Sequence, residues 1–196
     1  RGTLLMAMRH HEHSGPSGAL FLAMFTGFLI SGCGASSARL GVGPVWDSAG
    51  HVGIESTFSL GFGMPLDYRG RSQHYMQGLA FVGGGADVDT DAKIVTTGIG
   101  ADYIYWAHPR LDVRAGMYFV YRNREDKPKE HDLLGMGAHV ALMPVAVGSD
   151  SDIFVPQFCI GPEFRVDQSW DAHSNASRAH FGFPLVMEFN LLAAGD

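Results

Sequence analysis

Hydrophobic and polar residues alternate along most of this chain beyond residue 38. Over residues 51–64, Val52, Ile54, Phe58, Leu60, Phe62 and Met64 share one face, and His51, Gly53, Glu55, Thr57, Ser59, Gly61 and Gly63 the other, with Ser56 the one lapse. A period of two marks a β-strand whose faces meet different surroundings. The same rhythm recurs over residues 95–105, 111–122, 134–142, 154–166 and 180–191. Weaker segments at 39–46 and 77–87 bring the count to eight. Most of the intervening breaks, at 47–50, 65–76, 88–91, 107–109, 123–132, 148–152 and 167–177, are too short for a crossover helix, so neighbours should pair antiparallel. Eight two-faced, up-and-down strands close into a barrel. The expected fold is therefore all-β: an eight-stranded antiparallel up-and-down β-barrel over residues 39–192.

The alternation leaves open which face points inward. In a water-soluble barrel the apolar face fills the interior; in a membrane barrel it meets lipid and the interior is polar. The polar face here is rich in glycine and carries spaced ionisable residues: Glu55, Asp102, Arg114, His139, Glu163 and Glu188. Glycine weakens a strand and packs nothing against solvent, whereas small residues and paired charges suit a narrow interior. The apolar face runs for five or six alternate positions in the better strands, the length a tilted spanning strand needs (about 9–11 residues). Tyr103, Tyr105 and Tyr121 fall at strand ends, where interfacial aromatics belong. Against this, Pro156, Pro162 and Pro184 interrupt strand patterns, the loops do not alternate long and short, and the chain ends LLAAGD without a terminal aromatic. The expectation favours the membrane barrel, with those six ionisable residues as an interior polar network that neutralises itself by pairing.

Composition agrees. Only 17% of residues are charged and 26 are glycine. The formal net charge of −6 argues against nucleic acid or an anionic lipid surface as partner.

Ahead of the strands lies ALFLAMFTGFLISGC, residues 19–33. Its uncharged run, residues 19–30, is too short to span a bilayer, which takes roughly 20 residues as a helix, and has the length of a signal-peptide core. The run ends in LISGC, an aliphatic residue, small residues and then Cys33. This resembles the lipobox of bacterial lipoproteins. The resemblance implies that residues 1–32 are a cleaved lipoprotein signal peptide, that Cys33 is acylated and holds the protein to membrane lipid, and that residues 33–38 form a short tether. Gly34 and Ala35 after the cysteine, with no Asp beside it, imply sorting to the outer membrane. The remaining chain carries 12 basic against 19 acidic residues, a net of −7, because residues 1–32 hold two of the 14 and one of the 20. Cys159 would then have no partner in the chain and reads as a buried thiol.

Candidate chemistry is sparse. Asp87, Asp89 and Asp91 have the opening spacing of a calcium loop, but Ala92 and Gly98 stand where such a loop needs Gly and an acid, so they read as an acidic turn. His173-Ser174-Asn175-Ala176, with Glu188, resembles the constellation of outer-membrane lipid A deacylases; here His and Ser are adjacent, which points them to opposite faces in a strand. Residues 123–132 (NREDKPKEHD) read as a solvated loop. No cofactor or metal is expected. The function expected is a non-enzymatic, outer-membrane-associated lipoprotein, structural or presenting the loops 65–76, 123–132 and 167–177. The alternatives are a lipid-tethered soluble barrel binding a small apolar ligand, as lipocalins do, and a lipid A hydrolase.

Overall fold

The computed structural model describes residues 35–66, 73–88, 90, 92–108, 110–126, 129–148, 154–171 and 176–193. They form one sheet of nine strands: β1 (Ala35–Asp47), β2 (Val52–Pro65), β3 (His74–Asp87), β4 (Lys93–His108), β5 (Leu111–Asp126), β6 (Lys129–Gly148), β7 (Phe154–Asp171), β8 (Ser177–Gly182) and β9 (Leu185–Ala193). From β1 to β8 each strand pairs antiparallel with the next. β1 also pairs with β8 and β9, and β7 with both, so the sheet closes on itself. β8 and β9 are two halves of one barrel strand. The barrel has eight, as the alternation predicts.

The eighth strand is split where sequence reading ran it unbroken. Pro184 has no N–H and cannot donate to the ladder. The gap is bridged instead: Phe183 N–H donates to the Pro44 carbonyl at 3.1 Å, and the Pro184 carbonyl accepts from Glu163 N–H at 3.0 Å. Gly43 faces this gap, and a Cβ there would lie 2.6 Å from the Phe183 carbonyl oxygen. Pro162, on the neighbouring β7, points outward.

Other boundaries shift outward. β5 and β6 run on through the stretch expected as a charged loop, pairing Asn123 with Asp132 and Asp126 with Lys129. Tyr121 Oη donates to Asp132 Oδ1 at 2.6 Å and Asn123 Nδ2 to the same oxygen at 3.0 Å, so these polar groups hold the hairpin rather than ending it. β7 likewise continues to Asp171, and β1 begins at Ala35, inside the segment expected as a tether. The connections at 48–51, 88–92, 127–128 and 172–176 lie at one end of the barrel, here the turn end. Those at 66–73, 109–110 and 149–153 lie at the other, with the start of β1 and the finish of β9. The loops 65–76 and 123–132 therefore sit at opposite ends.

The apolar face points out. Met117 is 70% exposed, Leu134 63% and Ile99 62%, while Asp102 is 0% and Arg114, Glu163 and Glu188 are each 1%. Ser56, the polar lapse on the outward face, donates its hydroxyl to the Gly84 carbonyl at 3.1 Å. Trp46, Tyr121 and Trp170 stand outward near the turn end. Tyr103 and Tyr105 stand near the other, beside His74, whose ring lies 5.1 Å from that of Tyr105. Tyr121 pairs with Thr97, eight residues along β4 from Tyr105. At about 3.3 Å per residue and a typical tilt of about 40°, that separation is about 20 Å along the axis. The apolar band of transmembrane barrels is about 25 Å tall.

Glycine on the inner face is a matter of room. A Cβ on Gly116 would collide with the Asp102 carboxylate and sit 2.7 Å from His139 Cε1 and 2.8 Å from the Ala101 carbonyl oxygen. Gly116→Ala should cost about 1–3 kcal/mol of unfolding free energy, the usual range for overpacking. Ala115→Leu, one residue away on the open outer face, should be nearly neutral. Urea unfolding of detergent-solubilised protein checks the contrast, and equal losses would contradict the assigned faces.

Candidate functional site

The interior is a stack of ion pairs, placed there by strand parity alone. At its centre is Arg39 of β1. Its guanidinium reaches Asp102 of β4 at 2.8 Å, Glu188 of β9 at 3.5 Å and Glu163 of β7 at 3.8 Å. Arg114 of β5 takes the other Glu188 oxygen at 2.5 Å and Asp112 at 2.8 Å. His139 Nε2 lies 3.1 Å from Asp102 Oδ1, and Arg165 pairs with Glu163. Asn190, with its amide turned to satisfy both ends, donates to Glu188 Oε1 at 2.8 Å and accepts from Arg114 at 3.1 Å.

A second group is centred on Asp167. Arg122 donates to both of its oxygens, at 2.6 and 2.8 Å. Tyr118 Oη donates at 3.2 Å, and His180 Nδ1 lies at 3.2 Å. The Tyr118 ring stacks on His139, with centroids 5.9 Å apart, and so links the two groups. The third group closes the turn end. Arg124 holds Asp87 at 2.8 Å and Asp47 at 3.3 Å; Arg178 adds a contact to Asp47 at 3.4 Å and His51 one to Asp87 at 3.5 Å. The same two aspartates shape the turns. Asp47 Oδ1 accepts from the N–H groups of Ala49 and His51, beside Gly50 at φ 90°, and Asp87 Oδ1 accepts from Thr90 N–H at 3.1 Å.

Of the six expected network residues, Asp102, Arg114, His139, Glu163 and Glu188 meet in one cluster. Glu55 does not join them. Sequence reading missed Arg39, Asp112, Arg165 and the whole Asp167 group. Asp112, Arg122 and Arg165 were legible as members of the polar face; Arg39 sat at the edge of a weak segment and Asp167 in an expected loop. The apolar contribution to the interior is small: Tyr75 and Ile104 with Trp106, and Ala141, Met143, Cys159 and Val186 with Val145. Cys159 is a buried free thiol.

This arrangement neutralises charge; it does not poise it. Charges removed from water are tolerated when each finds a partner and its remaining polar groups are satisfied, and an eight-stranded barrel is just wide enough for its side chains. The other candidate motifs fare differently. Asp87 is committed to Arg124 and to its own turn; Asp89 and Asp91 lie outside the described residues. His173, Ser174 and Asn175 of the deacylase-like stretch, and Cys33, also lie outside them. Glu188, the acid that stretch would need, is bound to Arg114 and Arg39, 11 positions along the eighth barrel strand from Ser177, where that strand leaves the turn end. The soluble-binder alternative needed an apolar lumen, and the observed polarity is the reverse.

No protein-family model and no curated protein matches this chain. Solved structures do. The barrel is similar to Neisserial surface protein A, with a TM-score of 0.51 at 10% identity, covering 83% of this chain and 97% of that one. It also matches the attachment invasion locus protein Ail of Yersinia pestis at a TM-score of 0.45 and 8% identity, covering 80% and 99%. At such identities the first likeness speaks to the fold alone.

Removing one partner of a buried pair leaves the other uncompensated, which costs about 3–5 kcal/mol. Asp167→Ala should destabilise the barrel by that order, because it strands Arg122. The double change Asp167→Leu with Arg122→Met should recover most of the loss. Equilibrium unfolding in detergent or lipid vesicles measures both; a double variant no better than the single would show that the pair does not act as a unit.

Proposed function

We propose that this chain is a membrane-integral β-barrel of the bacterial outer membrane, non-enzymatic and structural in role, made as a lipoprotein and acylated at Cys33. The observation that carries the integral reading is the polarity of the wall. Among the described residues, large hydrophobic side chains stand exposed around the barrel, while arginine, aspartate and glutamate are buried within it. Soluble monomers rarely expose a contiguous apolar patch beyond a few hundred Å²; here the apolar surface runs around the barrel. Lipid is the solvent that fits this arrangement, since a closed barrel leaves no unpaired edge to pay for in hydrocarbon. The aromatic residues at both margins and the separation of about 20 Å between them fit a spanning band.

The lipoprotein half of the proposal rests on the LISGC motif at the end of an apolar leader. A structural rather than loop-presenting role is supported by the shortness of the turn-end connections. Of the three loops that could have been presented together, 65–76 lies at the far end and 123–132 is largely hairpin ladder.

Fractionation of cells making Cys33→Ala separates the two halves. The variant should stay with the membrane through an alkaline wash and keep heat-modifiable migration on gels. Its release into the aqueous fraction would overturn the integral reading. Metabolic labelling with a radioactive fatty acid should mark the wild type and leave Cys33→Ala unlabelled; an unlabelled wild type would overturn the anchor.

A further inference from the structure

Four prolines lie side by side across the wall of this barrel. Pro44 is on β1, Pro184 between β8 and β9, Pro162 on β7 and Pro144 on β6. None has an N–H to give to a ladder, and the three ladders between these strands are interrupted where the prolines stand. Between β1 and the eighth barrel strand, pairing stops after Val42 with Leu185 and resumes at Val45 with Gly182. Between that strand and β7 it stops after Leu185 with Pro162 and resumes at Gly182 with Arg165. Between β7 and β6 it stops after Cys159 with Val145 and resumes at Glu163 with Ala141. The breaks are contiguous and run across the strands, so they form one crease. Two backbone bonds remain in it, Phe183 N–H to the Pro44 carbonyl and Glu163 N–H to the Pro184 carbonyl.

On the turn-end side of the crease the seam between β1 and β8 is short. Val45–Asp47 pair with His180–Gly182, and Ser48 N–H donates to the Ala179 carbonyl at 2.8 Å. On the other side Ala35–Val42 pair with Leu185–Leu192. The far edges of the two short segments are held elsewhere: β1 pairs with β2 as far as Trp46, and β8 pairs with β7 throughout. Side chains follow the same division. Asp47 is held by Arg124 of β5, and His180 of β8 lies against Asp167 of β7. Among the described residues, the ion pair that crosses the seam is Arg178 with Asp47, at 3.4 Å, and the Arg178 side chain is 24% exposed. Behind the seam a recess with Gly43, Val45, Gly182 and Pro184 on its wall leaves the two edges little to pack against. Trp46 and Phe181 pair on the outer face and are both exposed. They stand near the turn end, where water reaches the backbone groups that a parted seam would free.

We propose that the β1–β8 seam parts as one unit, hinged on the proline crease, while the β1–β9 half and the rest of the wall stay closed. A segment with a short ladder and few buried apolar contacts opens at a lower free energy than the whole molecule unfolds. Parting breaks the Arg178–Asp47 pair. It leaves Arg124 on Asp47 and Arg122 on Asp167, because neither pair involves β8. The recess behind the seam then opens sideways, through the wall rather than through the turns. The hinge does not depend on what surrounds the outer face of the barrel.

Amide hydrogen–deuterium exchange of the full chain in detergent micelles tests this. The bonds from Ser48 to Ala179 and from Phe183 to Pro44 set the parity of the ladder. Trp46, Phe181 and Phe183 are then the amides that face across the parting seam, and Leu40, Met187 and Phe189 those that face across the β1–β9 half. Protection factors of Trp46, Phe181 and Phe183 should match one another and lie about tenfold or more below those of Leu40, Met187 and Phe189. Protection that rises from Phe181 to Phe183 is fraying from the rim and overturns the proposal, as does equal protection on the two sides of the crease. Val45→Cys with Gly182→Cys bridges the seam at a pair whose backbones do not bond each other, and a Cβ on Gly182 would have its nearest contact at 3.6 Å, with Arg165 Cβ. Oxidised, this variant should raise the protection of Phe181 and Phe183 about tenfold or more; reduced, it should match the wild type. A folded, oxidised variant with wild-type protection overturns the hinge. If the variant does not fold or does not bridge, the wild-type exchange pattern decides.

Discussion

One guanidinium inside this barrel touches carboxylates on three other strands. Arg39, on β1, lies within 3.8 Å of carboxylates on β4, β7 and β9, so it ties β4 across the lumen to the seam where β9 lies between β1 and β7. That geometry is possible only because the barrel is narrow, and it is stable only because each carboxylate it touches has another partner: His139 for Asp102, Arg165 for Glu163, Arg114 for Glu188. A sheet slipped by one residue would turn every one of these groups to the outside and the outward-facing Phe and Met residues inward. The network thus fixes the register as firmly as a hydrophobic core does in a soluble protein, by a penalty on the wrong state rather than a large gain in the right one.

Closing eight strands also explains the glycine. Each inward position is shared among large charged groups reaching across the lumen, and some positions must therefore yield. At Gly98 a Cβ would run into the Phe81 ring, and at Gly137 it would meet the Tyr118 ring and the Asp167 side chain. The glycines are the space into which the arginines and tyrosines are folded. Outside, where nothing limits size, the same strands carry Phe119, Phe164, Phe189 and Trp170. Three prolines, Pro44, Pro162 and Pro184, fall on adjacent strands at one level of the wall. The backbone bonds from Phe183 to Pro44 and from Glu163 to Pro184 keep it stitched there.

The faces were legible in the sequence because parity is a local property. Among the described residues, those of the alternating runs lie on the side their positions demanded, Ser56 included. What parity cannot give is height. Glu55 and Asp102 share the inner face, yet only Asp102 meets Arg39, because the partners are set by how far each strand is offset around the closed barrel. Arg39 to Asp102 spans 63 residues and Arg114 to Glu188 spans 74, distances over which no spacing rule operates. Strand ends were lost for another reason. Asp167 and Asn123 look like turn residues by composition, but each has a charged or polar partner on a neighbouring strand, and that tertiary bond overrides the local preference.

A barrel that spans a membrane has no need of acyl chains to stay there, so the proposed lipid at Cys33 requires a different use. The first paired residue of β1 is Ala35. Two residues of chain reach at most about 7 Å, so an acylated Cys33 would hold its chains at the rim of the barrel, at the end opposite the charged turns. Lipid inserted there would fix which end of the barrel meets that leaflet. On this argument acylation sets direction of insertion rather than strength of attachment. The turn end would then be the one that crosses, and its ion pairs, Arg124 with Asp47 and Asp87 and Arg178 with Asp47, would lower the cost of carrying those groups through hydrocarbon.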